Sequence, residues 1–215
     1  MSGIVVFGAG GRAGRRVVAE AVGRGYAVTA VVRDPAKYAD LAGDGVRVVA
    51  GDVTDGASVA EVAAGHDVAV QATARLDMSS EEFYTAGAHA LAGGLARAGV
   101  PRLVALGIGS LLEVSPGVRV IDTPGFPADA RMFSLGHAAE LKVFEATGPD
   151  GLDWVVLAPP PVMLDDEAAR TGRYRIGGGQ VAGAEEGFSF ADLAVAVVDE
   201  AVSPKHHRCQ VAVHY

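Results

Sequence analysis

Apolar positions along this chain gather in short runs, separated by stretches with helical spacing. Ile4-Val5-Val6-Phe7 opens the series. Val17, Val18, Ala21 and Val22 then recur on one helical face, which Gly23 and Gly25 end. Val28 to Val32 is a second run, closed by Arg33, and Val46 to Val53 a third, carrying Asp52 near its end. A helix from Ser58 to Ala64, a fourth run from His66 to Ala72, a long helix from Ser79 or Ser80 to Ala98, and a fifth run from Arg102 to Leu106 follow. Gly107 to Arg131, with Pro116, Pro124 and Pro127, lacks a regular pattern, as functional or flexible segments do. The spacing then predicts a helix from Ser134 to Thr147 and a sixth strand from Leu152 to Leu157. Asp165 to Gly187 is polar and glycine-rich, Phe190 to Val202 is amphipathic, and Val211 to Val213 reads as a last strand. Apolar runs alternating with helices predict an α/β fold, a doubly wound parallel sheet. The expectation is one domain over residues 1–215, with 160–215 supplying a small cap on the substrate side and the last strand.

The first unit adds chemistry to the pattern. Gly8, Gly10, Gly11 and Gly14 stand between the first strand and the first helix. Gly8 permits a sharp turn, Gly10 and Gly11 leave the main chain bare, and Gly14 allows close packing of helix on strand. The helix N-terminus then offers free N–H groups and partial positive charge to a phosphate. Two spacings overlap: Gly8-x-Gly10-x-x-Ala13, the general dinucleotide fingerprint, and Gly8-x-x-Gly11-x-x-Gly14, the wider one of short-chain dehydrogenases. In this strand–helix–strand context they point to nucleotide binding and a Rossmann fold. The bland alternative is a tight turn that binds nothing.

The end of the second strand bears on which nucleotide. A carboxylate there hydrogen-bonds the ribose of NAD; this chain has Arg33, followed by Asp34, with Arg12 in the glycine turn. Two guanidinium groups can clamp a ribose phosphate, which favours NADP(H) over NAD(H). The competing reading makes Arg33 a solvated strand end and gives the ribose to Asp34. Asp52, followed by Val53, either faces the adenine amino group or serves as a turn or N-cap aspartate before the next helix.

Composition narrows the class. Half of the 215 residues are hydrophobic, enough for a packed core, and the net charge of -8 with no basic run argues against nucleic acid. Cys209 is the lone cysteine, so no disulfide framework exists, and a cytoplasmic setting is expected. No signal peptide or uncharged run of about 18 apolar residues is evident, so no membrane partner is expected. The expected partner is a small-molecule acceptor, on a monomer or homodimer.

Several further pieces carry a family resemblance. They are Gly107-Ile108-Gly109-Ser110-Leu111, Pro116-Gly117-Val118, Asp122-Thr123-Pro124-Gly125-Phe126-Pro127, Leu152-Asp153-Trp154 and Arg170-Thr171-Gly172-Arg173-Tyr174-Arg175. Asp192 to Ala196, Pro204-Lys205-His206 and Val211 to Tyr215 complete the set. With the glycine turn they resemble, over nearly the full length, atypical short-chain dehydrogenases of the NAD(P)H-binding, NmrA-like kind. Closest in character are the NADH-flavin reductases, which are similar to biliverdin reductase B. The chain departs at Gly8-Ala9-Gly10-Gly11, where the family has Gly-Ala-Thr-Gly, and at Ala72-Thr73-Ala74-Arg75, where a small glycine-containing turn is usual.

The resemblance implies a reductase passing hydride from NADPH to a flavin or similar flat conjugated acceptor. No tyrosine is followed by lysine four residues on, so the usual Tyr-x-x-x-Lys dyad is missing from the sequence. Flavin reduction needs chiefly two rings held face to face, with water excluded. Ser110, beyond the fifth strand, can bind the carboxamide or the acceptor, or simply cap its own loop. His137, expected to open its helix where relatives carry lysine or histidine, can touch the nicotinamide ribose or supply a proton; a plain helix-face histidine is the alternative. Gly107, Gly109, Pro159 and Pro160 would line the nicotinamide pocket, and Ala72, Thr73 and Ala74 the ribose. Phe126 and Met132 are expected in the core, with packing on the acceptor ring as the alternative. A metal is not expected: His206, His207, Cys209 and His214 fit no zinc spacing, and Asp165-Asp166-Glu167 reads as a solvated acidic loop. The rival is a non-catalytic NAD(P)-sensing protein, which the missing dyad also suits. A sugar-nucleotide epimerase or dehydratase shares the glycine spacing but needs the dyad and a larger substrate lobe.

Overall fold

The computed structural model describes residues 3–75, 77–162, 164–182 and 187–215. Residues 183–186 of the polar, glycine-rich stretch lie outside them. Among the described residues the strands, in chain order, are β1 (Gly3–Phe7), β2 (Ala27–Val32), β3 (Val46–Ala50), β4 (Val68–Gln71), β5 (Arg102–Leu106), β6 (Glu113–Ser115), β7 (Val118–Arg119), β8 (Asp153–Ala158), β9 (Arg175–Ile176) and β10 (Cys209–His214). The helices are α1 (Arg12–Gly23), α2 (Gly56–Ala63), α3 (Ser80–Ala98), α4 (Ala128–Glu145) and α5 (Phe190–Val202).

Eight strands form one sheet in the order β3-β2-β1-β4-β5-β8-β10-β9; β6 and β7 make a separate hairpin. Only β9 runs antiparallel to its neighbour, β10. Alternation along β1 shows why the strands read as continuous apolar runs. Ile4 and Val6 pack with Val17, Val18 and Ala21 of α1 and with α5, whereas Val5 and Phe7 pack with residues of α2 and α3. Both faces are thus covered, α1 and α5 on one side and α2, α3 and α4 on the other, so the central strands β1 and β4 are buried whichever way a residue points, while the edge strand β3 is not. The chain order reverses between β1 and β4, which opens a crevice at the carboxyl ends of those strands.

Local chemistry sets the helix starts. Ser79 caps α3 by accepting from the Glu82 amide, with Glu81 and Glu82 in the first turn, and Gly99 ends the helix at φ 72°. Ser189 caps α5 and accepts from Asp192 N–H at 2.9 Å. The structure corrects two expectations here. α4 begins at Ala128, not near Ser134, because Pro127 sits at its N-cap instead of inside it, and Asp129 then complements the first turn. His137 therefore lies in the middle of α4 and does not open it. The cap of α2 is Asp55, which accepts from Ala57 N–H at 2.8 Å, and not Asp52. A buried ion cluster ties the far ends of β5 and β8 to α5: Arg102 meets Asp153 at 2.9 Å and Glu200 at 3.1 Å. His206 Nδ1 lies 2.7 Å from Glu200 and His207 Nδ1 2.9 Å from Asp153, so both histidines are absorbed by that cluster. No described helix is long and apolar enough to cross a membrane.

Candidate functional site

A cleft of about 600 Å³ opens where the strand order reverses. Gly8, Gly10, Gly11, Arg12 and Ala13 form one wall, and Arg33, Asp52 and Val53 the outer rim. Ala72, Thr73 and Ala74, beyond β4, close the inner side. All eleven of these were candidates from sequence.

The glycine turn is built for close approach. Gly8 adopts φ +78°, and a β-carbon there would meet the carbonyl oxygen of Ala72 at 2.6 Å, so the turn sits directly on the chain leaving β4. Gly14 does not line the cleft; a β-carbon on it would fall 2.1 Å from the Gly8 carbonyl oxygen, so it is the contact that seats α1 against the turn. Gly11 has free space in front of it, with Gly8 O as its nearest neighbour at 3.4 Å. Gly10 has a second reason to be bare: the ring of Tyr38 would lie 2.4 Å from its β-carbon. Gly11 N–H turns back to Gly8 O, while the amides of Arg12, Ala13 and Gly14 have no backbone acceptor among the described residues. Two of these donors, on Arg12 and Ala13, belong to cleft-lining residues and remain available to an anion there.

The rim is cationic in a chain that is acidic overall. Arg12, Arg33, Lys37 and Arg75 line the cleft, against the two carboxylates of Asp34 and Asp52. The partner of Arg33 is not Arg12, as the sequence suggested. Arg12 turns toward α5, its guanidinium carbon 5.2 Å from the centre of the Phe190 ring. Arg33 and Arg75 instead converge on Asp77, at 3.9 Å and 2.6 Å. The hydrogen bond from Arg75 drives the exposed Asp77 carboxyl down to about 2. Asp34 caps its own turn through Ala36 N–H and lies 3.6 Å from Lys37.

Asp52 is a turn aspartate that still faces the cleft. Its Oδ1 accepts from the Thr54 amide at 2.9 Å and the Thr54 hydroxyl at 2.7 Å. Burial acts to raise its pKa, but these bonds, with the charges of Arg75 and Arg33, outweigh burial and keep it below the usual carboxylate value. Its Oδ2 has no hydrogen-bond partner among the described residues, so an acceptor remains for an amino group. Thr73 carries a matching signal: its Oγ1 is buried without a partner among the described residues, on the cleft wall. A pyridine dinucleotide fits these groups, which offer amides for a diphosphate, an orphan hydroxyl for a ribose, and a carboxylate and cations at the adenosine end.

The remaining candidates lie outside the cleft lining, and Gly109, Ser110, His137, Pro159 and Pro160 among them are buried. Gly109 lets the loop after β5 press against the loop after β8, since a β-carbon there would meet Pro159 O at 2.3 Å; one on Gly107 would meet the Val156 side chain at 2.4 Å. Pro159 and Pro160 are buried and lie outside the cleft lining. Ser110, 4% exposed, does not cap its own loop. Its Oγ lies 2.7 Å from Ser134 Oγ, and Ser134 donates to Ala130 O at 2.7 Å, so Ser110 donates its one proton to Ser134 and keeps free lone pairs. His137, 6% exposed, stacks on Tyr84 with ring centres 4.0 Å apart, and the Tyr84 hydroxyl donates to Thr73 O at 3.2 Å. Met132 is not in the core; it is 66% exposed on α4, and Phe126 is half-buried beneath Arg131.

Sequence reasoning missed Lys37, Tyr38, Arg75, Phe83 and Phe190 as lining residues. Arg75 left a trace, as the cation that replaces the usual small turn after β4. Lys37 and Tyr38 follow Arg33 closely enough to share its rim. Phe83 and Phe190 arrive through tertiary packing and leave no local signal.

Residues 8–204 match the family model described as NAD(P)H-binding. The chain is 32% identical over 208 residues to the "Uncharacterized protein YwnB" of Bacillus subtilis (strain 168), covering 94% of this chain and 93% of that one. It is 35% identical to the "Putative exported protein" of Burkholderia pseudomallei, whose crystal structure superposes with a TM-score of 0.87 over the whole of both chains. SP1627 of Streptococcus pneumoniae TIGR4, described as "a putative NADH-flavin reductase", shares the fold at a TM-score of 0.86, with 24% identity over 100% of this chain and 99% of its own.

Proposed function

Since the chain belongs to the NAD(P)H-binding family, we propose that it is a reductase that passes hydride from NADPH to a flavin or a similar flat conjugated acceptor. The observation that carries this reading is the cleft: unpaired amides at the start of α1 face the same space as the orphan hydroxyl of Thr73 and the cations Arg33, Lys37 and Arg75. The nucleotide, when bound, supplies the hydride; the protein's part is to hold, orient and exclude water. In this reading the amides of Arg12 and Ala13, both on the cleft wall, hold the diphosphate, and Asp52 takes the adenine amino group. Arg33, with Arg75 and Lys37 beside it, takes the ribose phosphate, which supports NADP over NAD. Ser110 presents its lone pairs to an N–H of the carboxamide or the acceptor. His137 stands one aromatic ring behind Thr73 and supplies the proton that follows the hydride. Exposed Met132, near the start of α3 through the contact of Phe133 with Ser80, offers an apolar, polarizable surface to a flat acceptor.

Purified protein mixed with NADPH and, in turn, FMN, riboflavin, a quinone and an azo dye tests the reading by loss of reduced nicotinamide absorbance. Turnover with at least one acceptor is expected, faster with NADPH than NADH. Tight nucleotide binding with no turnover across the panel would overturn it in favour of a nucleotide sensor.

A further inference from the structure

The group left unexplained by the cleft is a carboxyl buried in the middle of α4. Glu140 is 2% exposed, and both of its oxygens are engaged. Gln71 Nε2 donates to Oε1 at 2.9 Å, and His137 Nδ1 lies 3.2 Å from Oε2. The imidazole is fixed from its other sides by Tyr84, tilted 37° with ring centres 4.0 Å apart, and by Phe133, edge-on at 5.2 Å. Gln71 ends β4 and immediately precedes Ala72 and Thr73 of the cleft wall, so the cluster is joined to the wall through one peptide bond and through the Tyr84–Thr73 hydrogen bond.

Stability alone gives little reason for this arrangement. Burying a carboxyl beside an imidazole costs desolvation, and well-packed apolar side chains of similar volume commonly serve as well or better. The geometry does have a chemical consequence. A carboxylate oxygen can only accept, so the proton it shares with His137 sits on Nδ1. His137 Nε2, which has no hydrogen-bond partner among the described residues, is then the nitrogen left for exchange.

We propose that Glu140 is the positioning residue for His137: braced by Gln71, it holds the imidazole proton on Nδ1, leaving Nε2 to take up a second proton and pass it to the acceptor. This rests on the reductase reading above. Hydride delivery gives the acceptor two electrons and one hydrogen nucleus and leaves it one proton short; Nε2–H supplies that proton, and the imidazole is recharged from water. Among the described residues, Tyr84 from α3 and Phe133 and Glu140 from α4 meet the ring, and Gln71 from β4 reaches it only through Glu140. Burial moves the Tyr84 phenol far above its ordinary range, so it does not titrate, and burial likewise raises the Glu140 carboxyl against the pull of His137.

The test uses 15N-labelled full-length protein without nucleotide, where histidine ring shifts report tautomer and titration. Wild-type His137 is expected in the Nδ1-protonated form when neutral. In Glu140→Gln, loss of the adjacent anion should lower the pH at which the ring loses its charge by about one unit or more. The alkaline limb of kcat against pH, measured with NADPH and the best acceptor, should move down by the same amount, roughly a tenfold loss at a pH above both midpoints, with the KM for NADPH unchanged. A purely structural Glu140 would lower kcat equally at every pH and leave both midpoints in place, which would overturn the proposal. So would an Nε2-protonated tautomer in the wild type, a measurement that stands even where the variant does not fold. The expected tautomer and midpoint shift, found with no turnover on any acceptor, would uphold the pairing and count against the reductase instead.

Discussion

One methyl group at Gly14 should separate packing from binding. A β-carbon there would sit 2.1 Å from Gly8 O, 2.8 Å from Gly8 C and 2.9 Å from Ala9 Cα, where ordinary contact begins at 3.4 Å. All three atoms are backbone, held by β1 on one side and by α1 on the other, so no side chain can swing aside. In Gly14→Ala the start of α1 must therefore back away from the turn by about 1 Å. Overpacking of that kind costs about 1–3 kcal/mol, which in a chain of this size lowers Tm by roughly 2–12 °C. Helix propensity works the other way by about 1 kcal/mol, so the same helix needs an internal control. Gly23 provides it, because a β-carbon there meets nothing within 4 Å. Gly23→Ala should raise Tm by roughly 1–4 °C through propensity alone.

Binding should respond more sharply than stability. The amides of Arg12, Ala13 and Gly14 sit on the turn that has to move. Each hydrogen bond to a charged phosphate oxygen contributes about 1.5–3 kcal/mol. Misplacing two of them should weaken NADPH binding by more than about a hundredfold, and Gly23→Ala should leave it unchanged. Thermal melts give the first quantity and isothermal titration calorimetry the second. A Gly14→Ala protein that melts and binds as the wild type does would refute the argument that this turn is a phosphate cradle seated by Gly14.

Other substitutions probe separate parts of the molecule. Arg33→Ala removes an exposed cation whose 3.9 Å approach to Asp77 adds little stability; NADP affinity should fall about 10–100-fold while NAD affinity and Tm hold, and equal losses for both nucleotides would contradict the assignment. Arg102→Leu leaves Glu200 buried without its guanidinium, so Tm should fall by roughly 6–20 °C, from a cost of about 3–5 kcal/mol. Asp192 is buried, and although burial pulls its pKa up, donors from Tyr215, Gly172, Thr171 and Ser189 hold it below its ordinary 3.8. A depressed folded-state pKa contributes stability above pH 3.8 that is lost as pH falls through the folded value. Wild-type Tm should therefore drop steeply below about pH 4, and Asp192→Asn should melt lower at neutral pH yet show a flatter acid limb.

The sheet was legible because its central strands are buried on both faces and its helices on one, so apolar spacing separates them. The glycine turn was legible because each glycine answers a local need, visible in the 2.1 Å and 2.6 Å approaches at Gly14 and Gly8. Legibility failed where a side chain's partner lies far along the chain. Arg12 and Arg33 both carry charge near the turn, but only tertiary packing turns the first onto Phe190 and leaves the second with Arg75 and Asp77. The start of α4 was misread because prolines suggested irregularity through Arg131, and Pro127 proved to be the boundary itself. That error hid Glu140. With His137 placed at a helix start its neighbours are loop residues, whereas in mid-helix the residue three positions on shares its face.

The two groups of candidate residues are held in place by different physics, and that difference bears on how substitutions should divide. The nucleotide side relies on main-chain amides and on exposed cations whose mutual contacts are weak; removing a side chain there changes affinity more than fold. The buried candidates beyond it, which the proposal gives to the acceptor, rely on hydroxyls and on an imidazole–carboxyl pair, each of which needs its partner to avoid an unsatisfied group. Removing one member there should disturb stability and rate together. Activity loss at Ser110, His137 or Glu140 is therefore informative only alongside a melt and a pH profile, while loss at Arg33 can be interpreted from binding alone.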